Sequence, residues 1–165
     1  MDRSSEIAEI VEKNPGIKFR EIMRETGFKN GVLSYHVRKL EESGTVKIER
    51  KSGETRFYPL CVTKEESNLI ASLRRDTQRN ILLSLLEDKP LTFNEIVQKV
   101  RKSPSTVSTF LGKLVDENIV EIKIVALKKV YFLKNGDMVH EIIKKYNPIL
   151  LERFAYNFAD TFSNL

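Results

Sequence analysis

Apolar residues in the first third of the chain are spaced first like one face of a helix and later like one face of a strand. Helical spacing recurs over residues 5–13, 19–23 and 30–43, and it predicts three helices. Gly44 follows the third stretch, at the position where a helix commonly ends in a left-handed residue. From 46 to 58 the apolar residues alternate around a polar turn that contains Ser-Gly, and this pattern predicts a β-hairpin.

The whole pattern occurs twice. When the sequence is shifted by 74 residues it aligns with itself without a gap, and nine positions between residues 7 and 58 are identical. Two copies are too few for a solenoid, which needs at least three stacked repeats. We therefore predict two homologous domains, at 1–60 and 77–134. Domains of this size are marginal alone, so we expect them to pack against each other or against another chain.

A helical connector is predicted between the copies, at 61–76, because Thr63 and Glu66 have the spacing of a capping box before an apolar run. After the second copy, residues 135–165 are predicted to form helices with an Asn-Pro break between them. The last helix has an apolar stripe at spacings of three and four. We expect the stripe to join two chains in a homodimer, with packing on its own second domain as the alternative. The stripe consists of Leu151, Phe154, Phe158 and Phe162.

Composition limits the cellular compartment and the class of binding partner that the protein can have. The formal net charge is +5 and the isoelectric point is near 9.3, a modest excess that favours a polyanionic partner. A single cysteine excludes an internal disulfide and suits a reducing compartment. No apolar run reaches the length of a membrane span, and the first residues lack the apolar core of a signal peptide. These features predict a cytoplasmic protein without a membrane partner.

Catalytic chemistry finds no support in the sequence. We find no paired carboxylates at a plausible site, no glycine-rich phosphate loop and no nucleophile with a base nearby. His36 and His140 are far apart and accompany no cysteine pair, which argues against a metal site. The sequence therefore predicts a protein that is not an enzyme and that needs no cofactor or metal.

The third helix and hairpin of the first copy resemble a known family. Residues 33–44 (LSYHVRKLEESG) contain a Ser-x-His-apolar-x-x-Leu-x-x-x-Gly run, and a basic hairpin follows them. This segment is similar to archaeal regulators related to the ArsR and MarR families. The second copy keeps the MarR-like framework over 103–133, with Asn118 in the place of Gly44. The resemblance implies an α+β fold, mainly α with small β-hairpins, arranged as two tandem winged helix-turn-helix domains.

The resemblance also implies a function. In such regulators the third helix of the domain enters the major groove of double-stranded DNA, and the hairpin, or wing, lies on the flanking backbone. The first copy has suitable side chains opposite its apolar stripe, because arginine can bind guanine or phosphate, tyrosine can stack, and small polar residues can bond base edges. The predicted contacts are Asn30, Ser34, Tyr35, Arg38, Lys39, Arg50, Lys51 and Arg56.

The second copy has a different set of side chains on the corresponding face. Gly112 stands where the first copy has an arginine, and the hairpin tip at 124–127 is apolar. Basic residues nevertheless flank both elements. We leave open whether this copy is a weak second DNA module or a domain recruited for packing. Its candidate contacts are Arg101, Lys102, Ser105, Thr109, Lys113, Lys128 and Lys129.

Two functions remain after these observations. One is a sequence-specific transcriptional regulator that binds double-stranded DNA through the first copy. The other is an adaptor that uses the winged helix for protein interaction, which suits the small residues of the second copy. The sequence identifies no operator, no direction of regulation and no small-molecule effector.

Overall fold

The computed structural model of the chain describes residues 2–87 and 90–146. The first unit comprises residues 2–67 with Tyr146, and the second comprises Asn68–Lys145. The boundary between the units, after Ser67, lies within the segment 61–76 that the sequence predicts as a connector. The elements that begin within the first unit are α1 (Arg3–Lys13), β1 (Ile17–Lys18), α2 (Phe19–Thr26), α3 (Asn30–Glu42), β2 (Val46–Lys51), β3 (Glu54–Pro59) and α4 (Lys64–Leu73).

The second unit repeats this order of elements. After α4, it contains α5 (Asp76–Glu87), β4 (Leu91–Thr92), α6 (Phe93–Val100), α7 (Pro104–Asp116), β5 (Val120–Val125), β6 (Lys128–Leu133) and α8 (Gly136–Lys145). The bounds of α7, β5 and β6 are those of α3, β2 and β3 displaced by 74 residues. The predicted α+β fold with two tandem winged helix-turn-helix domains is confirmed.

Each unit has a small antiparallel sheet in the strand orders β1-β3-β2 and β4-β6-β5. The sequence predicted the two hairpins but not β1 and β4, the short strands that pair with them. Ile17 pairs with Phe57 in the first sheet, and Leu91 pairs with Tyr131 in the second. A strand of two residues is too short to show an alternating pattern, so its existence depends on the hairpin that it joins.

The core of the first unit lies between α1, α3 and the sheet. Ile7 and Val11 of α1 are buried with Leu33 and Val37 of α3 and with Phe57 of β3. These α3 residues recur at helical spacing, so their burial turns the opposite side of α3 outward. The corresponding residues of the second unit are buried in the same way, including Ile81, Ile96, Val107, Leu111, Leu114 and Val120.

Both third helices end in a left-handed residue. Gly44 has φ 71°, and the amide of Thr45 donates to the carbonyl of Leu40 at 2.9 Å. Asn118 has φ 59° at the corresponding position, where Ile119 donates to Leu114 at 3.0 Å. Asparagine is the residue that most readily replaces glycine in this conformation, which explains why the exchange leaves the helix end unchanged.

The predicted helix starts after each hairpin are also present. The amide of Thr63 donates to the carboxylate of Glu66, and the amide of Glu66 donates to the hydroxyl of Thr63, which together form a capping box. Asn135 accepts a hydrogen bond from the amide of Met138 and begins α8. The apolar stripe of Leu151, Phe154, Phe158 and Phe162 lies outside the described residues.

Arg56 is a correction to the predicted DNA contacts. Its side chain is buried, and its Nη1 donates to the carbonyl oxygen of Gly16 at 2.8 Å. Its Nε and Nη2 each lie 3.2 Å from Glu54 Oε2, and Glu54 Oε1 lies 3.0 Å from Lys18 Nζ. The guanidinium therefore ties β3 to the turn before β1 and is not presented to a phosphate.

Replacement of Arg56 by alanine should destabilise the first unit by about 2 kcal/mol, because the Gly16 carbonyl and the Glu54 carboxylate lose a largely buried partner. Urea unfolding followed by circular dichroism measures the change. Arg20→Ala is the matched control, because Arg20 is exposed and its loss should change stability by less than about 0.5 kcal/mol. Equal stability of the two variants would contradict the structural role of Arg56.

Candidate nucleic-acid interface

The outward side of α3 carries most of the predicted contacts of the first unit. Burial of Leu33, Val37 and Leu40 on the inner side leaves the polar residues of the same helix at the surface. Tyr35 is 51% exposed among these polar residues. The exposed predicted residues on α3 are Asn30, Ser34, Tyr35, Arg38 and Lys39.

Hydrogen bonds and ring contacts order part of this surface. The Ser34 hydroxyl donates to Asn30 Oδ1 at 3.1 Å, one helical turn earlier. The ammonium of Lys39 lies 5.4 Å from the centroid of the Tyr35 ring, within the range of a cation–π contact. The His36 ring meets Tyr35 edge to face at 5.1 Å, and its Nδ1 is 2.8 Å from Ser4 Oγ on α1. His36 therefore links α3 to α1 and packs against the Tyr35 ring.

Arg38 is exposed and differs from the other arginines of the predicted site. Within the part of the chain that the structure describes, its guanidinium makes no hydrogen bond or ion pair. All of its N–H donors are available for a ligand, and the planar fork fits guanine O6 and N7 or a phosphate.

Arg50 is held by a partner that the sequence did not reveal. Its Nη1 and Nη2 donate to Glu41 Oε1 and Oε2 at 3.0 and 3.1 Å, so the contact joins β2 to the last turn of α3. The hydrogen bonds from Arg50 lower the pKa of Glu41, and the same bonds raise the pKa of Arg50. The two residues are nine positions apart, on a helix and a strand, and no periodic signal connects them.

The wing consists of β2, β3 and the turn between them. Ser52 and Gly53 occupy the turn with φ of 52° and 75°, the conformation of a two-residue type I′ hairpin. Lys51 is exposed beside this turn. The structure thus groups Arg50 and Lys51 on the wing and the other predicted contacts on α3, with Arg56 excluded. Lys29 is an exposed cation at the N-cap of α3 that sequence analysis missed, because the helix was taken to begin at Asn30.

In the second unit the predicted contacts are exposed, but several are engaged locally. The Thr109 hydroxyl donates to the Ser105 carbonyl at 3.0 Å, and the ammonium groups of Lys113 and Lys129 lie over the rings of Phe110 and Tyr131. The residues at the surface are Arg101, Lys102, Ser105, Thr109, Lys113, Lys128 and Lys129.

The outward residues of the first unit are replaced by small or apolar ones in the second. After the 74-residue shift, Gly112 occupies the position of Arg38, and Val115 and Ile124 occupy those of Glu41 and Arg50. A cleft of about 240 Å³ lies beside Gly112. It has a mixed lining of apolar residues (Phe93, Leu111, Val115, Ile122 and Tyr131) and polar ones (Ser108, Asp116 and Lys129).

The wing of the second unit is apolar at its tip. Ala126 and Leu127 form the turn in left-handed conformations without a glycine. Leu127 is 99% exposed and Ile124 is 78% exposed. Exposed apolar groups of this kind commonly mark a binding surface.

No group of three or more histidine, cysteine, aspartate or glutamate side chains suited to a metal ion occurs in residues 2–87 and 90–146. Over the same residues, no helix combines the length and the apolar character needed to cross a bilayer.

Comparison with known families assigns a helix-turn-helix to each half of the chain. Residues 1–70 match a family described as an N-terminal HTH domain, and residues 75–121 match the bacterial regulatory protein arsR family. The chain is also 26% identical over 135 residues to the uncharacterised HTH-type transcriptional regulator MJ1398 of Methanocaldococcus jannaschii. That alignment covers 82% of this chain and 34% of the relative, so the chain spans about a third of the relative's length.

Two solved structures have limited similarity to the chain. HlyU from Vibrio cholerae has 20% identity and a TM-score of 0.44, with 52% of this chain and 91% of HlyU covered. The AntR antimony-specific transcriptional repressor has 20% identity and a TM-score of 0.44, with 58% and 88% covered. The assignment rests on the two family matches and on the repeated order of helices and wing. By these criteria the chain has two tandem winged helix-turn-helix domains, and each half is similar to a helix-turn-helix family.

Proposed function

We propose that this chain is a transcriptional regulator that binds double-stranded DNA sequence-specifically through its first unit. In this proposal α3 enters the major groove and the β2–β3 wing contacts the flanking backbone. The observation that carries the proposal is the surface of α3, where Arg38 and Tyr35 are exposed on the side opposite the buried stripe. The N-terminal HTH family match over residues 1–70 supports the same assignment.

Each side chain of this surface has a role that its chemistry suits. Arg38 donates to guanine or to a phosphate, and Tyr35 stacks on a sugar or contacts a thymine methyl group. Ser34 and Asn30, already joined by a hydrogen bond, contact base edges near the start of α3. Lys39, Arg50 and Lys51 supply charge for the backbone, which governs affinity more than sequence preference.

A second candidate function is protein interaction through the second unit. The exposed apolar wing tip at Ile124 and Leu127 favours this function, together with Gly112 and the cleft beside it. A DNA-binding wing normally presents polar and basic groups to phosphates. Burial of an apolar tip against a protein surface is instead favourable, because it removes apolar area from water. In this candidate the second unit acts as an adaptor, and the contacts predicted from its basic residues are minor.

We further propose that the protein acts as a cytoplasmic homodimer on chromosomal DNA. Winged-helix proteins of this size gain site length by pairing, and a two-fold dimer matches a palindromic site. The sequence of residues 148–165 supports this arrangement through its stripe of Leu151, Phe154, Phe158 and Phe162, which would be an aggregation liability if it stayed exposed.

Arg38→Ala should weaken binding to a duplex from the upstream region of the protein's own gene by about 1–3 kcal/mol, roughly 5- to 150-fold, if Arg38 binds a base. Fluorescence anisotropy at a fixed salt concentration measures this loss. The matched variant in the second unit, Lys128→Ala with Lys129→Ala, should lose much less. The opposite result, with Arg38→Ala binding like the parent and the double variant inactive, would transfer DNA recognition to the second unit.

Affinity for the same duplex should fall linearly in log salt. Each neutralised phosphate contributes a slope of about −0.9, so four to six contacts per chain give about −4 to −5. Titration at several salt concentrations between about 50 and 200 mM supplies the slope. A flat response would remove the electrostatic basis of the regulator and favour the adaptor.

Deletion of residues 148–165, or serine at both Phe154 and Phe158, should yield monomers that bind the duplex much more weakly but keep folded units. Loss of the paired half-site contacts is the physical reason. Size-exclusion chromatography with light scattering measures the mass, and circular dichroism checks the fold. A parent chain that is already monomeric at micromolar concentration would contradict dimerisation.

A further inference from the structure

We propose that Glu41 competes with DNA phosphate for Arg50 and so lowers the affinity of the first unit for duplexes of any sequence. Glu41 would then be a positioning residue that acts through Arg50 and increases the weight of base contacts in target selection. This inference rests on the proposed DNA-binding function and extends it to a residue outside the predicted contact set.

The geometry of the pair favours competition. Arg50 uses both terminal nitrogens to bind both carboxylate oxygens of Glu41, which is the arrangement that a guanidinium adopts with phosphate. The side chains of Arg50 and Glu41 are 60% and 39% exposed. Ion pairs as exposed as this one contribute little to stability, so a phosphate can replace the carboxylate without disturbing the fold.

The charge state of Glu41 keeps the competition active near neutral pH. Hydrogen bonds from Arg50 hold the pKa of this carboxyl below its usual value, so Glu41 is an ionised carboxylate at neutral pH. Glu41 therefore opposes phosphate binding in two ways: it occupies the guanidinium of Arg50, and its negative charge repels the incoming phosphate. Arg50 therefore contributes less to backbone binding than its exposure alone would suggest.

Other wing residues increase the importance of Arg50. Arg56 is buried against Gly16 and Glu54, so its guanidinium would have to give up these contacts to reach a phosphate. Glu49 of β2 carries a negative charge and contacts Lys64 at 3.3 Å. Arg50 is thus an exposed guanidinium on a wing whose second arginine is committed to structure.

The second unit indicates that the fold does not need this ion pair. The helix and wing have the same bounds there, but Val115 and Ile124 occupy the two positions. A winged helix of this geometry therefore forms with apolar residues at both sites. The charged pair occurs in the unit whose surface suits DNA, which links it to binding rather than to folding.

The test compares two glutamates on the last turn of α3. Glu41→Gln removes one negative charge and the charged fork to Arg50. Glu42→Gln removes one negative charge at an exposed neighbouring residue that has no ion pair within the described part of the chain. The probe is a fluorescein-labelled 30-base-pair duplex of random sequence, titrated with the full-length chain by anisotropy at several salt concentrations.

Glu41→Gln should bind the random duplex roughly 3- to 10-fold more tightly at about 50 mM salt, with a salt slope steeper by about one unit. Glu42→Gln should stay within about 2-fold of the parent, because only bulk charge changes. In an Arg50→Ala background the Glu41→Gln gain should shrink to the range of Glu42→Gln, within about 2-fold, since the released group is absent and only charge repulsion is relieved. Circular dichroism confirms that each variant is folded.

Three results would overturn the inference. Glu41→Gln with parental or weaker affinity would mean that Glu41 does not compete. Equal gains for the two glutamine variants would assign the effect to net charge alone. Persistence of the full gain in the Arg50→Ala background would mean that Glu41 does not act through that arginine. A parent chain that binds no duplex at low salt would instead refute the proposed function itself, and the inference would fail with it.

Discussion

Burial of one side of α3 is the constraint on which the surface of the first unit depends. Leu33 and Val37 pack with Ile7 of α1 and with Phe57 of the sheet, and this packing fixes the rotation of the helix about its axis. The residues on the opposite side of α3 from Leu33 and Val37 then have to face outward. His36 adds a polar contact to Ser4 at the edge of the same packing surface and holds Tyr35 in position.

The repeat separates this framework from the function of its surface. Both units bury equivalent core residues and keep the same bounds for the third helix and the hairpin, yet Gly112, Val115 and Ile124 replace Arg38, Glu41 and Arg50 on the outside. Core packing tolerates these exchanges because none of the outer residues fills the core. The same fold thus presents a polar, arginine-bearing surface in one unit and an apolar wing tip in the other, which supports different binding partners for the two units.

Three arginines of the first unit illustrate how burial and neighbouring charge divide one residue type among different tasks. Arg38 is exposed on α3, Arg50 is forked to Glu41, and Arg56 is buried against a carbonyl oxygen and Glu54. Arg50 and Arg56 both lie on the wing and both looked suitable for phosphate contact. The difference between them arises from the short strand β1, because Gly16, just before β1, supplies the carbonyl oxygen that binds Arg56.

The sequence by itself determined the duplication, the three helices and the wing of each unit, the helix ends at Gly44 and Asn118, and the polar outer side of α3. Each of these depends on spacing within a few residues or on a repeat that alignment detects. Tertiary structure decided the two-residue strands β1 and β4, the burial of Arg56 and the pairing of Glu41 with Arg50. These features join residues that are distant along the chain or that belong to different elements, so their formation depends on contacts that exist only after the helices and sheet have packed.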